Sequence, residues 1–144
     1  SIQVLKAHGY KVTKARREVL EVLDRTQEPL SPYDIQRILG KRGKSLNHVT
    51  IYRILDLFCS LRLAHRVLSS GGFVKCSLGT CQGCHRLMLC RGCGGIIEFA
   101  DEGLCRAESG LARDSGFHTE YHLSESLGLC SRCFGKAAEQ HSVS

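Results

Sequence analysis

Apolar residues recur at helical spacing through the first half of the chain, and the second half mixes extended and helical runs. After Thr13, a residue type that caps helices, Ala15, Val19, Val22 and Leu23 fall on one stripe, and Pro29 lies beyond its end. Ser31-Pro32-Tyr33-Asp34 reads as a second helix start, because Ser caps, Pro takes the first turn and Asp stands three residues on. Ile35, Ile38 and Leu39 form its buried stripe, and Gly40 is expected to end it. After the basic turn Lys41-Arg42-Gly43-Lys44, a third helix begins near Ser45 or Asn47. It buries Ile51, Ile54, Leu55, Phe58 and Leu61 while Asn47, His48, Thr50 and Arg53 keep its first turns polar. Two helices joined by a short glycine-containing turn give helix-turn-helix order. His65-Arg66-Val67-Leu68 and Phe73-Val74-Lys75-Cys76 flank Ser69-Ser70-Gly71-Gly72, which predicts a hairpin. Three helices and a hairpin make a winged helix.

The second half opens on a linker, Gly79 to Cys84, followed by Leu87-Met88-Leu89 and the pair Cys90-Arg-Gly-Cys93. Gly94 and Gly95 let backbone N–H groups turn toward the sulfurs. Ile96-Ile97-Glu98-Phe99 reads as a strand, and Asp101 caps a helix with Leu104, Ala107, Leu111 and Ala112 inward, ending at Gly116. Residues 117–129 read as extended, with His118, Glu120 and His122 alternating onto one face. The chain closes with Cys130-Ser-Arg-Cys133 and a polar tail expected to fray. The predicted class is α+β, with a winged-helix domain at 1–76, a hinge at 77–86, a small α/β domain at 87–134 and a tail at 135–144.

Composition narrows the setting. A hydrophobic share of 42% is ordinary for globular chains, and two small domains would each gain from a metal staple. No run is long and apolar enough to span a bilayer, and the first residues lack a signal peptide's apolar stretch, so the expectation is a cytoplasmic protein with no membrane partner. Nine cysteines, six of them in the Cys-x-x-Cys pairs 81/84, 90/93 and 130/133, then favour metal-bound thiolates over disulfides. The net charge of +6 permits a nucleic-acid partner without requiring one.

Cys90, Cys93, Cys130 and Cys133 have the spacing of a closed, all-thiolate zinc site, which holds a fold and leaves no open position for catalysis. A strand–helix–strand unit can return the second pair to the first. His65, Cys76, Cys81, Cys84, His85 and Glu98 form a second constellation. His65 and Cys76 stand at opposite ends of the hairpin, His85 on the linker and Glu98 on the first strand beyond it, so one tetrahedron could draw on all three segments. A metal there would favour one arrangement of the two domains, and a Cys ligand shifts the preference from Fe²⁺ or Mn²⁺ toward Zn²⁺. The plainer readings are a surface His or Glu and a small buried thiol. His118, Glu120 and His122 could hold a third metal or be a solvated strand face. Cys59 and Cys105 lie in helical stretches and are read as packing residues. Candidates for DNA contact are Lys11, Thr13, Arg16, Lys44, Asn47, His48, Thr50, Tyr52 and Arg53, where Arg and Asn read bases while Lys, Thr and Tyr contact phosphate. The plainer reading of these is a solvated polar face.

These motifs converge. Lys11-Val-Thr13-Lys-Ala-Arg16 resembles the opening motif of the ferric uptake regulator family, and Val49-Thr-Ile-Tyr52-Arg53 resembles its recognition-helix signature. Leu89-Cys90-Arg-Gly-Cys93-Gly-Gly-Ile-Ile-Glu98-Phe99 and Gly128-Leu-Cys130-Ser-Arg-Cys133 look like its zinc knuckles. The resemblance covers residues 5–134. It implies a dimeric, metal-dependent repressor on double-stranded operator DNA, with an N-terminal winged helix and a C-terminal dimerization domain. His65, Cys76, His85 and Glu98 match the positions used by zinc uptake regulators, which implies two Zn²⁺ per subunit, one structural and one regulatory. The segment Cys81-Gln-Gly-Cys84-His85 departs from the family's His-rich run, so Cys84 or Cys81 could replace His85. His122 matches a position that binds metal in some members. Rival readings are a family sensor of another metal or of peroxide, a zinc-bound interaction module, and a zinc deaminase. The last is suggested by His118-Thr119-Glu120 before Cys130-Ser-Arg-Cys133, but it leaves Cys90 and Cys93 unexplained.

Overall fold

The structure, a computed structural model, describes residues 1–78, 84–119, 122 and 124–142, so the expectations for Cys81 and Glu120 fall outside the described residues. It divides into two compact units, Ser1–Gly79 and Thr80–Ser144.

The first unit holds α1 (Ile2–Ala7), α2 (Lys14–Arg25), α3 (Pro32–Lys41), α4 (His48–Ser60), β1 (Ala64–Arg66) and β2 (Phe73–Lys75). Each of the three longer helices starts on a side-chain cap. Thr13 accepts from the Arg16 N–H, Ser31 from the Asp34 N–H and Asn47 from the Thr50 N–H, which satisfies donors a helix start would otherwise leave bare. Asp34 returns the favour by accepting from the Ser31 N–H at 2.9 Å. Gly40 does not end α3. The helix continues to Lys41, and the residue with positive φ is Gly43, in the turn that leads into α4. The core gathers Val19, Val22, Leu23, Ile35, Leu39, Ile51, Leu55, Phe58 and Phe73. Leu5 of α1, a helix the apolar pattern does not announce, joins it fully buried.

The hairpin pairs β1 and β2 antiparallel, with Ala64 opposite Lys75 and Arg66 opposite Phe73. Phe73 also exchanges two backbone hydrogen bonds with Leu30, which ties the wing to the segment before α3. Gly72 permits this approach, since a Cβ there would lie 2.8 Å from the Pro29 side chain.

The second unit holds β3 (His85–Cys90), β4 (Ile96–Ala100), α5 (Glu102–Asp114), β5 (Ser124–Gly128) and α6 (Ser131–Ser142). Its sheet runs β4-β3-β5, with β4 antiparallel and β5 parallel to the central β3. Several expectations change here. His85 and Arg86 lie on β3 rather than on a linker, because His85 pairs with Ala100 of β4 and Arg86 pairs with both Phe99 of β4 and Ser124 of β5. Residues 117–119 carry no strand, so His118 does not share a strand face with His122. The expected tail is helical, continuing the turn that begins at Cys130. The stripe of α5 does not point inward: the helix has no buried residue, and Leu104 and Leu111 are 46% and 70% exposed.

Candidate metal centres and nucleic-acid interface

Strand direction builds the four-thiol cluster. Because β3 and β5 run parallel with Cys90 opposite Gly128, both Cys-x-x-Cys turns leave the sheet at the same end. The Arg91 N–H donates to the Gly128 carbonyl at 2.9 Å, and the Cys130 N–H donates to the Cys90 sulfur at 3.3 Å. Gly94, at φ +74°, closes the first turn with its N–H on the Cys90 carbonyl. Gly92 lies against the second turn: a Cβ there would come within 3.0 Å of Cys133 Cβ and Sγ.

The four sulfurs lie within 4.8 Å of one another, and Cys93 and Cys130 are 3.9 Å apart. A tetrahedron with Zn–S bonds of about 2.3 Å has edges of about 3.8 Å, so the donor set fits zinc in both chemistry and spacing. The thiols do not ionise alike. N–H groups of Cys130, Cys93 and Gly92 hold Cys90 down to about 6, and the Cys133 N–H lowers Cys130. Cys133, facing the Cys130 and Cys90 sulfurs, is pushed up to about 12. Four sulfurs this close cannot all become anions without a cation among them.

The second constellation falls into two pairs, one in each unit. In the first, His65 stands opposite Val74 on the hairpin and Cys76 follows two residues on, so the two are diagonal neighbours on one face. The Cys76 N–H donates to the Leu63 carbonyl at 2.9 Å, and the residue is buried. In the second, Glu98 stands opposite Leu87, diagonal to His85, and His85 Nδ1 lies 3.0 Å from Glu98 Oε1.

A group the sequence reading did not assemble lies at the other end of the β4-β3-β5 sheet. Cys84, Cys105 and His122 bring their ligand atoms within 4.8 Å of one another. Cys84 and Cys105 are joined as a disulfide, so Cys105 is not the packing residue its helical surroundings suggest, and disulfide chemistry is not excluded from this chain. The signal is visible only through topology, since nothing in the spacing links residue 84 to residue 105. His118 belongs to no metal-capable cluster among the described residues. Cys59 is a half-buried thiol packed against the core, and desolvation pushes it up to about 11.

The nucleic-acid candidates fall into two groups, Lys11, Thr13 and Arg16 at the start of α2 and the other six at or just before the start of α4. Thr50, Tyr52 and Arg53 are exposed, Tyr52 while edge-on to Phe73 of the wing. Thr13 and Asn47 use their side-chain oxygens as caps. Arg16 donates to the Lys11 carbonyl at 2.6 Å and lies over the Tyr10 ring. Lys44 Nζ stands 3.3 Å from Oε1 of buried Glu18, an ionic contact without an aligned hydrogen bond. Its charge therefore anchors the turn between α3 and α4. His48 stacks on Tyr33 with ring centroids 4.7 Å apart, and this exposed tyrosine is a surface feature the sequence reading passed over.

The chain is similar to the zinc uptake regulation protein of Escherichia coli K12, 29% identical over 141 residues that cover 96% of this chain and 82% of that one. It is similar also to the ferric uptake regulation protein of Legionella pneumophila, 30% identical over 133 residues that cover 91% of this chain and 96% of that one. Among solved structures it resembles a zinc uptake regulator complexed with zinc and DNA, with a TM-score of 0.86, 26% identity and coverage of 94% of this chain and 91% of that one. The family model matches residues 7–125, and the chain belongs to the ferric uptake regulator family.

Proposed function

We propose that the protein is a zinc-dependent transcriptional repressor that binds double-stranded operator DNA as a homodimer in the cytoplasm. Cys90, Cys93, Cys130 and Cys133 hold one structural Zn²⁺ and give it no open position, so we assign no catalysis. The hairpin pair His65/Cys76 and the sheet pair His85/Glu98 together hold a second, regulatory Zn²⁺. These four side chains would be cross-linked by a zinc ion held between the two pairs, which would favour the disposition of the two winged helices that matches two DNA half-sites.

The observation that carries the choice of metal is Cys76, buried on the hairpin face it shares with His65. A thiolate in the donor set favours zinc over iron or manganese. The likeness to a zinc uptake regulator complexed with zinc and DNA supports the same reading. Tyr52 and Arg53 of α4 enter the major groove, with Lys11 and Arg16 on the backbone or in the minor groove. Dimerization is supported by apolar surface on the second unit: Leu104 and Leu111 on α5, and Met88 opposite Ile97 across β3 and β4, are all exposed.

Cys76→Ser is expected to abolish zinc-stimulated operator binding in a gel shift while leaving a folded dimer by size-exclusion chromatography. If the variant still needs added zinc to bind operator, the regulatory site is elsewhere. If Fe²⁺ or Mn²⁺ stimulates the wild type more than Zn²⁺ does, the protein is a sensor of that metal.

A further inference from the structure

The β4-β3-β5 sheet has two chemically equipped ends, and the four-thiol cluster accounts for one. At the other end, Cys84 immediately precedes β3. Cys105 lies in the first turn of α5, which follows the end of β4 beside the start of β3, with His85 opposite Ala100. His122 precedes β5, whose first residue stands opposite Arg86. Strand directions therefore gather two sulfurs and an imidazole from three separate segments.

The surroundings suit sulfur redox chemistry better than a resident cation. The group offers three donors, one fewer than the closed cluster at the opposite end. The carboxylate beside His122 is already engaged, with Glu108 Oε2 2.6 Å from Arg86 Nη2 and 2.9 Å from His122 Nδ1. Arg86 is buried, and its Nε has no hydrogen-bond partner among the described residues. With Glu108 paired to buried Arg86, its carboxylate is not free to hold a divalent cation. Cys84 and Cys105 themselves are only half-buried, within reach of a small oxidant, and their Cα atoms are 5.7 Å apart, inside the span a disulfide bridges.

We propose that Cys84 and Cys105 form a reversible dithiol–disulfide couple, a modification site for hydroperoxides in the second unit, with His122 as the local proton acceptor. One thiolate attacks the O–O bond of hydrogen peroxide, becomes a sulfenic acid and releases hydroxide, which leaves as water. The other thiolate then attacks the sulfenic sulfur and expels a second hydroxide, also protonated to water. Two thiols and one peroxide thus give one disulfide and two waters, and the two electrons lost by sulfur reduce the peroxide oxygens. The structure holds the oxidised form, which ties the start of β3 to α5. A dithiol reverses it by exchange.

The test uses full-length zinc-loaded protein, reduced with a phosphine, desalted anaerobically and given a few equivalents of hydrogen peroxide. Differential alkylation and peptide mass spectrometry follow each cysteine. Cys84 and Cys105 are expected to lose their thiols together, as one cross-linked peptide pair lighter by two hydrogens, and to recover with dithiothreitol. Cys105→Ser is expected to leave Cys84 as a sulfenic acid that dimedone traps. The proposal falls if Cys84 and Cys105 oxidise no faster than Cys59, which is similarly half-buried. It falls equally if reduced wild type binds one more zinc per chain than Cys105→Ser, because the group is then a metal site.

Discussion

A methyl group on Gly92 would have no room. It would meet Cys133 Cβ and Sγ at 3.0 Å and Leu129 Cδ2 at 3.3 Å, and these neighbours belong to the turn that carries two of the four sulfurs. Gly92→Ala is therefore expected to push the two Cys-x-x-Cys turns apart, and competition with a chromophoric chelator should show faster zinc loss than wild type. Wild-type retention would mean that the second turn yields without opening the thiol cluster. The same residue shows what sequence can and cannot say. Cys-Arg-Gly-Cys is a legible motif, but the reason for its glycine is a side chain some forty residues away. Cys84 and Cys105 are the sharper case, because as letters they are a linker thiol and a helix thiol.

At the scale of elements, capping residues were the most readable feature, since a cap is a contact between residues three apart. Ser31, Asp34 and Asn47 act as their positions predict. The Ser31 N–H, which hydrogen-bonds the Asp34 carboxylate, holds its pKa below the ordinary 3.8. A carboxyl lowered in the folded state contributes stability that is present in full above the unfolded value and is lost as pH falls through the folded one. Ser31→Ala should cost about 1 kcal/mol in urea unfolding near neutral pH. The stability gap between wild type and Asp34→Asn should narrow as the solution is acidified below about pH 4. A gap that stays constant into strong acid would show that the carboxylate is not what the cap uses. Helix α5 is the counterexample among elements. Its cap at Asp101 and its stripe were both legible, but the side that stripe faces was not, because periodicity identifies an apolar face without saying what covers it.

For the whole molecule, that uncovered face becomes an expectation about assembly. Leu111, 70% exposed on α5, is expected to be covered in the proposed homodimer. Leu111→Asp should shift sedimentation toward monomer and weaken operator binding, while the far-ultraviolet circular dichroism of the chain is unchanged. A variant that remains dimeric would move the interface to the sheet surface around Met88 and Ile97. Operator binding itself should be strongly salt-dependent for a chain of net charge +6. Lys11→Ala should reduce the log–log salt slope by about 1, and Arg53→Ala should instead relax base preference. An unchanged slope in the first variant would remove Lys11 from the phosphate contacts.

Local interactions were decided by the chain alone. The starts of α2 to α5, the wing hairpin, the α+β class and the four-thiol cluster follow from residues that act within a few positions or within a spaced motif, whereas α1 and α6 do not. The tertiary structure decided what depends on strand direction. Antiparallel β4 and parallel β5 on a central β3 send Cys90, Cys93, Cys130 and Cys133 to one end of the sheet and Cys84, Cys105 and His122 to the other. It also decided that His85 belongs to a strand and that α5 turns its apolar stripe outward. A sequence carries periodicity and spacing, but the pairing partner of a strand and the cover of a helix face are set by long-range packing, where no local pattern competes.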